Sequence, residues 1–254
     1  MEFDSCLRKK LREKDILIMT HIVLGYPSFE ECYRIVEAMV EGGVDLMELQ
    51  IPFSEPLADG PVILRANHRA LERGATVQKC LDFARRVTLA FEIPFVIMSY
   101  YNIPLKYGIK RFVSAMAESN LRGAIIPDLP PEEGREYVKL MRACELAPVF
   151  IFSPTTSDDR LRYIASLAHG FVYCVARKGV TGSRTNFSED LVNYLARCRQ
   201  ATYLPLALGF GIKEKNDIAF IKGKVDIAAI GTQTIRIIEK EGINNVGDFI
   251  RNLF

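Results

Sequence analysis

The chain has 254 residues, of which 49% are hydrophobic and 25% charged. That composition supports a large core under a wetted surface, and the length suits one α/β barrel of roughly 250 residues. Its 33 basic and 31 acidic residues leave a formal charge of +2, which supplies no field for gripping nucleic acid or acidic lipid.

The N-terminal basic run Arg8-Lys9-Lys10-Leu11-Arg12, interrupted by Glu13 and Asp15, reads as the solvated face of a short extra helix. Ile16–Leu24 reads as the first strand and Phe29–Gly42 as the helix after it, with Ser28 and Glu31 spaced as a capping box. Val44–Ile51 is the second strand. A long connection, Pro52–Gly74, contains a short helix over Val62–Glu72, and Val77–Phe91 is a helix with basic residues outside. Strand three is Phe95–Ser99, with a helix near Ile109–Glu118. Strand four is Gly123–Ile126, with a helix starting at Pro130-Pro131-Glu132-Glu133. Pro148–Phe152 is followed by a helix over Ser157–Leu167. Phe171–Val175 is followed by a glycine-rich loop and a helix over Ser188–Cys198. Leu204–Leu208 and Val225–Ile230 are the last strands, with helices over Glu214–Lys222, Thr232–Lys240 and Val246–Phe254.

Short apolar strands alternating with amphipathic helices predict an α/β fold, a single (β/α)8 TIM barrel over residues 1–254 with an extra N-terminal helix. An open doubly wound sheet is the alternative. Its usual GxGxxG turn is absent after the first strand, which reads Leu24-Gly25-Tyr26-Pro27. Six scattered cysteines form no CxxC pair, and with three histidines in all there is no evident metal site. A reducing, cytoplasmic setting is expected. No secretory pattern or apolar stretch of roughly 18 residues points to a membrane.

In such a barrel, chemistry belongs at the carboxyl ends of the strands. Glu48 lies inside an apolar strand run, where a charged carboxylate needs a partner or a raised pKa. It reads either as an acid–base group or as one arm of a structural ion pair. Asp59-Gly60 by itself is a turn signal. Gly179–Ser183, Gly209-Phe210-Gly211 and Ile230-Gly231-Thr232 follow strands six, seven and eight. Glycines in those three places predict a phosphate site built from backbone amides. Tyr173 and Tyr100 fit either packing or the pocket wall, and so does His21 on strand one. His68 and His169 read as surface residues, and Asp128 as an organiser of neighbouring loops.

With these segments in order, the sequence resembles the alpha subunit of tryptophan synthase over nearly its whole length. The resemblance rests on ELQIPFSEPLADGP at 48–61, with LGYP at 24–27, YYN at 100–102, PDLPPEE at 127–133, RKGVTG at 177–182 and GFGI at 209–212. It implies cleavage of indole-3-glycerol phosphate to indole and glyceraldehyde 3-phosphate, a retro-aldol step. It also implies no organic cofactor, no metal, and a pyridoxal phosphate-bearing beta subunit as partner in an α2β2 complex. Glu48 would then be the acid–base group, and Asp59 would hold the indole N–H. Tyr173 would pack beside Glu48, and Thr181 would help position Asp59. Gly182, Gly211, Gly231 and Thr232 would bind phosphate, with His21, Tyr100 and Phe210 completing the substrate site.

Four positions depart from the family's usual pattern. Gln50 replaces a glycine two residues from Glu48, where it would crowd the pocket or reorient the acid. Glu55 replaces an aspartate in the loop that faces the beta subunit. His21 stands at an apolar or aromatic position, and Lys213 where a small hydroxyl residue is common. They leave open a stand-alone lyase for this or a related substrate, and a catalytically weak subunit that activates a beta subunit. Another phosphate-binding barrel is the more general alternative.

Overall fold

The computed structural model describes residues 3–176, 189–209 and 211–253. It opens on α1 (Phe3–Leu11), β1 (Leu17–Val23), α2 (Phe29–Glu41) and β2 (Leu46–Gln50). There follow α3 (Pro61–Glu72), α4 (Val77–Ala90), β3 (Phe95–Met98), α5 (Asn102–Tyr107), α6 (Ile109–Glu118) and β4 (Gly123–Ile125). Then come α7 (Arg135–Ala143), β5 (Ala147–Phe152), α8 (Asp158–Leu167), β6 (Val172–Val175), α9 (Glu189–Ala201), β7 (Leu206–Gly209) and α10 (Lys215–Ile221). The last elements are β8 (Ile227–Ile230), α11 (Thr232–Glu241) and α12 (Asn244–Arg251). The strands pair in parallel in chain order, and β8 pairs back onto β1, so the sheet closes into a barrel. This is the (β/α)8 architecture the alternation predicts, with α1 as the extra helix.

Period-two alternation along each strand sorts the side chains into two cores. The outer one lies between strands and helices, with Ile18, Leu49, Ile97 and Leu208 facing Val36, Phe112, Leu161 and Ile218. The inner one fills the lumen with Leu17, Met19, Leu46, Val96, Met98, Val149, Ala207 and Ile227. Burial on both faces is why the strands read as unbroken apolar runs.

The amino-end floor of the barrel is shut by α1. Phe3 and Leu7 are buried, and Phe3 meets Phe171 edge-on at 6.0 Å. The basic run therefore occupies the outer side of a helix whose inner side is a plug. Asp45, buried just before β2, ties this end together. It accepts from Ile18 N at 2.9 Å and from Lys14 Nζ at 2.7 Å.

Helix starts follow local chemistry. Ser28 caps α2 by accepting from Glu31 N at 3.1 Å, and Thr76 caps α4 by accepting from Lys79 N at 3.2 Å. Many boundaries shift from expectation by one to three residues, and two differences have a clear local cause. The Pro130–Glu133 cluster forms a turn, because Glu133 N and Gly134 N both fold back onto Pro130 O, and α7 starts only at Arg135. Gly209, expected in a loop, is the last residue of β7, in register with Val175. The short α5 has no counterpart among the predicted elements. Cys32, Cys80, Cys174 and Cys198 are buried, as expected for small apolar residues, while Cys6 and Cys144 are half-buried. No helix among the described residues is long and apolar enough to cross a membrane.

Candidate active site

Strand register alone brings the first polar pair together. His21 on β1 is the direct neighbour of Glu48 on β2, and both point into the lumen, above layers of apolar side chains such as Leu17, Met19 and Leu46. His21 Nδ1 lies 3.3 Å from Glu48 Oε1, and both side chains are more than nine-tenths buried. Burial works to discharge the imidazole. The Glu48 carboxylate, reinforced by Asp59 and by the amide of Gln50, outweighs that, so the pKa of His21 is raised above its ordinary 6.5.

Asp59 reaches the same space from the loop after β2. The loop is anchored at its base by Phe53, whose N donates to the buried Asn67 of α3 at 2.9 Å and whose ring stacks on Tyr100 at 5.3 Å. At its tip, Tyr100 Oη accepts from Ala58 N at 3.0 Å and donates to Asp59 Oδ2 at 3.1 Å. Gln50 Nε2 donates to the same oxygen at 2.7 Å. Burial raises the pKa of Asp59. His21, Gln50 and Tyr100 pull it down again, and the charge of Glu48 pushes it up.

These groups line one cavity at the carboxyl ends of the strands, where barrels of this kind carry their chemistry. Its walls include Ile63, Met98, Ile125, Ile151 and Ala229, an apolar slot with Glu48 and Asp59 as its acidic members. Tyr173 on β6 forms one side. Its pKa is raised well above 10, first by burial and then by Glu48 and Asp59, so the phenol stays neutral. Gly209 lets the ring sit there, since a side chain at that position would run into it.

The far end of the cavity is rich in glycine. Gly211 adopts φ +93°, a conformation that favours glycine. Gly231 is the N-cap of α11 and offers no side chain to the free N–H groups of the first turn, next to Thr232. Lys213, Gln233 and Arg236 also line this end.

Of the residues singled out in the sequence, Glu48, Asp59, His21, Tyr173, Gly211, Gly231 and Thr232 all line the cavity. Tyr100 does not. It is buried behind Asp59 and holds that carboxylate in place. Thr181, Gly182 and Phe210 lie outside the described residues. Gln50 does not crowd the cavity, since its side chain is fully buried and turned to Asp59. Glu55 is exposed, and so are His68 and His169. Asp128 accepts from Tyr101 N at 2.8 Å, linking the ends of β4 and β3 as expected. Arg236 was missed. It stands four residues after Thr232, one helical turn on, and that spacing would have found it. No group of three or more metal-ligating side chains occurs among the described residues.

Comparison with known proteins agrees with this geometry. The family described as tryptophan synthase alpha chain matches residues 7–252. The tryptophan synthase alpha chain of Desulforapulum autotrophicum is 59% identical over 98% of this chain and 99% of its own length. That of Desulfotalea psychrophila is 51% identical over the whole of both chains. Among solved structures, tryptophan synthase subunit alpha from Legionella pneumophila superposes with a TM-score of 0.90 at 29% identity, covering all of this chain and 97% of that one. Mycobacterium tuberculosis tryptophan synthase does so with a TM-score of 0.90 at 28% identity, covering 99% and 94%. A barrel closed in this order, two carboxylates in one apolar slot and a sequence match from end to end place the chain in the tryptophan synthase alpha chain family.

Proposed function

We propose that this chain is a carbon–carbon lyase that cleaves indole-3-glycerol phosphate to indole and glyceraldehyde 3-phosphate. The observation that carries this reading is the cavity itself. It has the buried carboxylate of Glu48 and the half-buried one of Asp59 at one end, an uncapped helix start with Lys213 and Arg236 at the other, and an apolar slot between them.

In this reading the phosphate sits at Gly211, Gly231 and Thr232, held by backbone amides and the start of α11. The indole ring lies between the apolar walls, with its N–H toward Asp59. Glu48 gives a proton to indole C3, and the ring becomes cationic. Asp59, held by Gln50 and Tyr100, meets that charge where it develops. The carboxylate left at Glu48 is then placed to take the proton of the glycerol hydroxyl as the C–C bond breaks. The bonding pair returns to the ring, the hydroxyl carbon becomes the aldehyde, and no net proton is gained or lost. Tyr173 keeps Glu48 in its slot, and His21 supplies the wall opposite.

Glu48→Gln is expected to remove cleavage, with a loss of more than about a hundredfold in kcat. Binding of glycerol phosphate should remain, because the anion end of the cavity is untouched. Turnover retained in that variant would end the acid–base assignment.

We further propose a pyridoxal phosphate-bearing beta subunit as partner. Leu57, in the loop that carries Asp59, is 79% exposed, and Leu105 on α5 is exposed at the same end of the barrel. A partner seated there bears directly on Asp59. Indole release measured with and without a beta subunit should rise sharply in the complex. An equal rate in both would favour a stand-alone lyase.

A further inference from the structure

The geometry points to a bridge in which His21 and Gln50 couple Glu48 to Asp59, making both of them positioning residues for the cleavage proposed above. The bridge runs along one side of the lumen. His21 Nδ1 meets Glu48 Oε1 at 3.3 Å, and Gln50 Nε2 donates to Asp59 Oδ2 at 2.7 Å. Between those two contacts stand two buried polar atoms, His21 Nε2 and Gln50 Oε1, and neither has a hydrogen-bond partner at full geometry. One is a ring nitrogen and the other a pure acceptor. The Gln50 amide also acts on the imidazole, adding to its affinity for a proton. The two unmatched atoms therefore complement each other.

Register explains why they meet. His21 pairs with Glu48 and Val23 with Gln50 along β1 and β2. Glu48 and Gln50, two apart, share the lumen face. His21 is only 7% exposed and Gln50 fully buried, so this is not a surface contact screened by water.

The link depends on a proton. A neutral imidazole has one N–H and serves one acceptor, whereas the imidazolium has two and serves both Glu48 and Gln50. The groups that face His21 favour the charged form, namely Glu48 on β2, Asp59 on the following loop and Gln50 between them. Neutral Tyr173, with Lys213 and Arg236 toward the mouth, lines the same cavity. On the α11 side His21 meets Gly231 and Thr234, which bring no charge. A single cation between the two acids offsets the charge of Asp59 throughout, and that of Glu48 once its proton has passed to indole C3, and it holds their spacing in a dry site. The chemistry requires both at once, one moving a proton and one meeting ring charge.

The test uses the full chain, indole-3-glycerol phosphate turnover and 15N NMR of the imidazoles, of which the sequence has three. In the unmodified protein the His21 ring should be doubly protonated near neutral pH, and its signals should move in Gln50→Met and in Asp59→Asn. His21→Phe and Gln50→Met should each lower kcat about tenfold with KM within about twofold, and the double variant should fall no further than the worse single one. The alkaline limb of the unmodified protein's kcat profile should move to a different pH in His21→Phe. A neutral His21 ring, ring signals indifferent to Gln50→Met, or losses that multiply in the double variant would each overturn the bridge. Where His21→Phe fails to bind glycerol phosphate through misfolding, the NMR of the unmodified and Gln50→Met chains decides alone. Turnover retained in Glu48→Gln would strike the lyase reading itself, while the ring signals would still report whether the bridge exists.

Discussion

Asp59 illustrates how a functional group can work against the fold that holds it. Burial raises its pKa, so the folded protein binds that proton more tightly than the unfolded chain does. Its contribution to stability is therefore greatest in acid, below the unfolded carboxylate value, and is lost as pH rises through the folded value. Asp59→Asn keeps an acceptor for Gln50 and Tyr100 but never ionises. At neutral pH it should be more stable, seen as a higher Tm, while cleavage falls. The stability gain should vanish near pH 4 and below. Melting curves across pH check this, and a variant that melts lower than the unmodified chain at neutral pH would show that the carboxylate helps to hold the loop. Glu48 and Asp59 were legible in the sequence, one as a charge in an apolar run, the other through the ELQIPFSEPLADGP segment. The role of Gln50 was not legible. Nothing in the sequence says whether a long amide two residues from Glu48 enters the cavity or turns behind it. That depends on Tyr100 holding the Asp59 loop within reach, a contact 41 residues away in sequence.

Elements divide the labour between the two ends of the barrel. The plug helix α1 never reaches the cavity. Leu7→Ala, at a fully buried site, should cost about 2–5 kcal/mol of stability and leave kcat unchanged. Gly209→Ala should do the opposite. The added methyl would displace the Tyr173 ring from the cavity wall, so turnover should fall by about tenfold or more, with a stability cost of about 1–3 kcal/mol. Thermal melting and steady-state turnover of the two variants separate the effects, and a kcat loss in Leu7→Ala would contradict the division. Strands were the most legible elements, because burial on both faces leaves an uninterrupted apolar signal. Helix starts were less so. Proline at Pro130 and Pro131 suits the first turn of a helix and a tight turn equally, and Gly134 settles it for the turn. The α5 helix escaped notice because Pro104 interrupts a segment of only six residues.

At the scale of the whole molecule, the closed barrel joins what the sequence sets furthest apart. Local pattern carries the order of strands and helices, so the fold class was legible from alternation. Closure was expected from the count of eight strand–helix units, but the pairing that makes it was not legible, since β1 and β8 meet across most of the chain. Leu17 pairs with Ile227, and Leu17 N donates to Asp226 O at 2.9 Å. That seam has a consequence in time. A ribosome adding about 5–20 residues per second exposes β1 roughly 10–40 seconds before β8 is made. Throughout that interval the free edge of β1, rich in Leu17, Ile18, Met19 and Ile22, lacks its partner and can recruit a strand from another nascent chain. The finished enzyme has no such edge to offer. The hazard belongs wholly to synthesis, and yield in the cell should depend on chaperone supply and translation speed more than on the stability of the completed barrel.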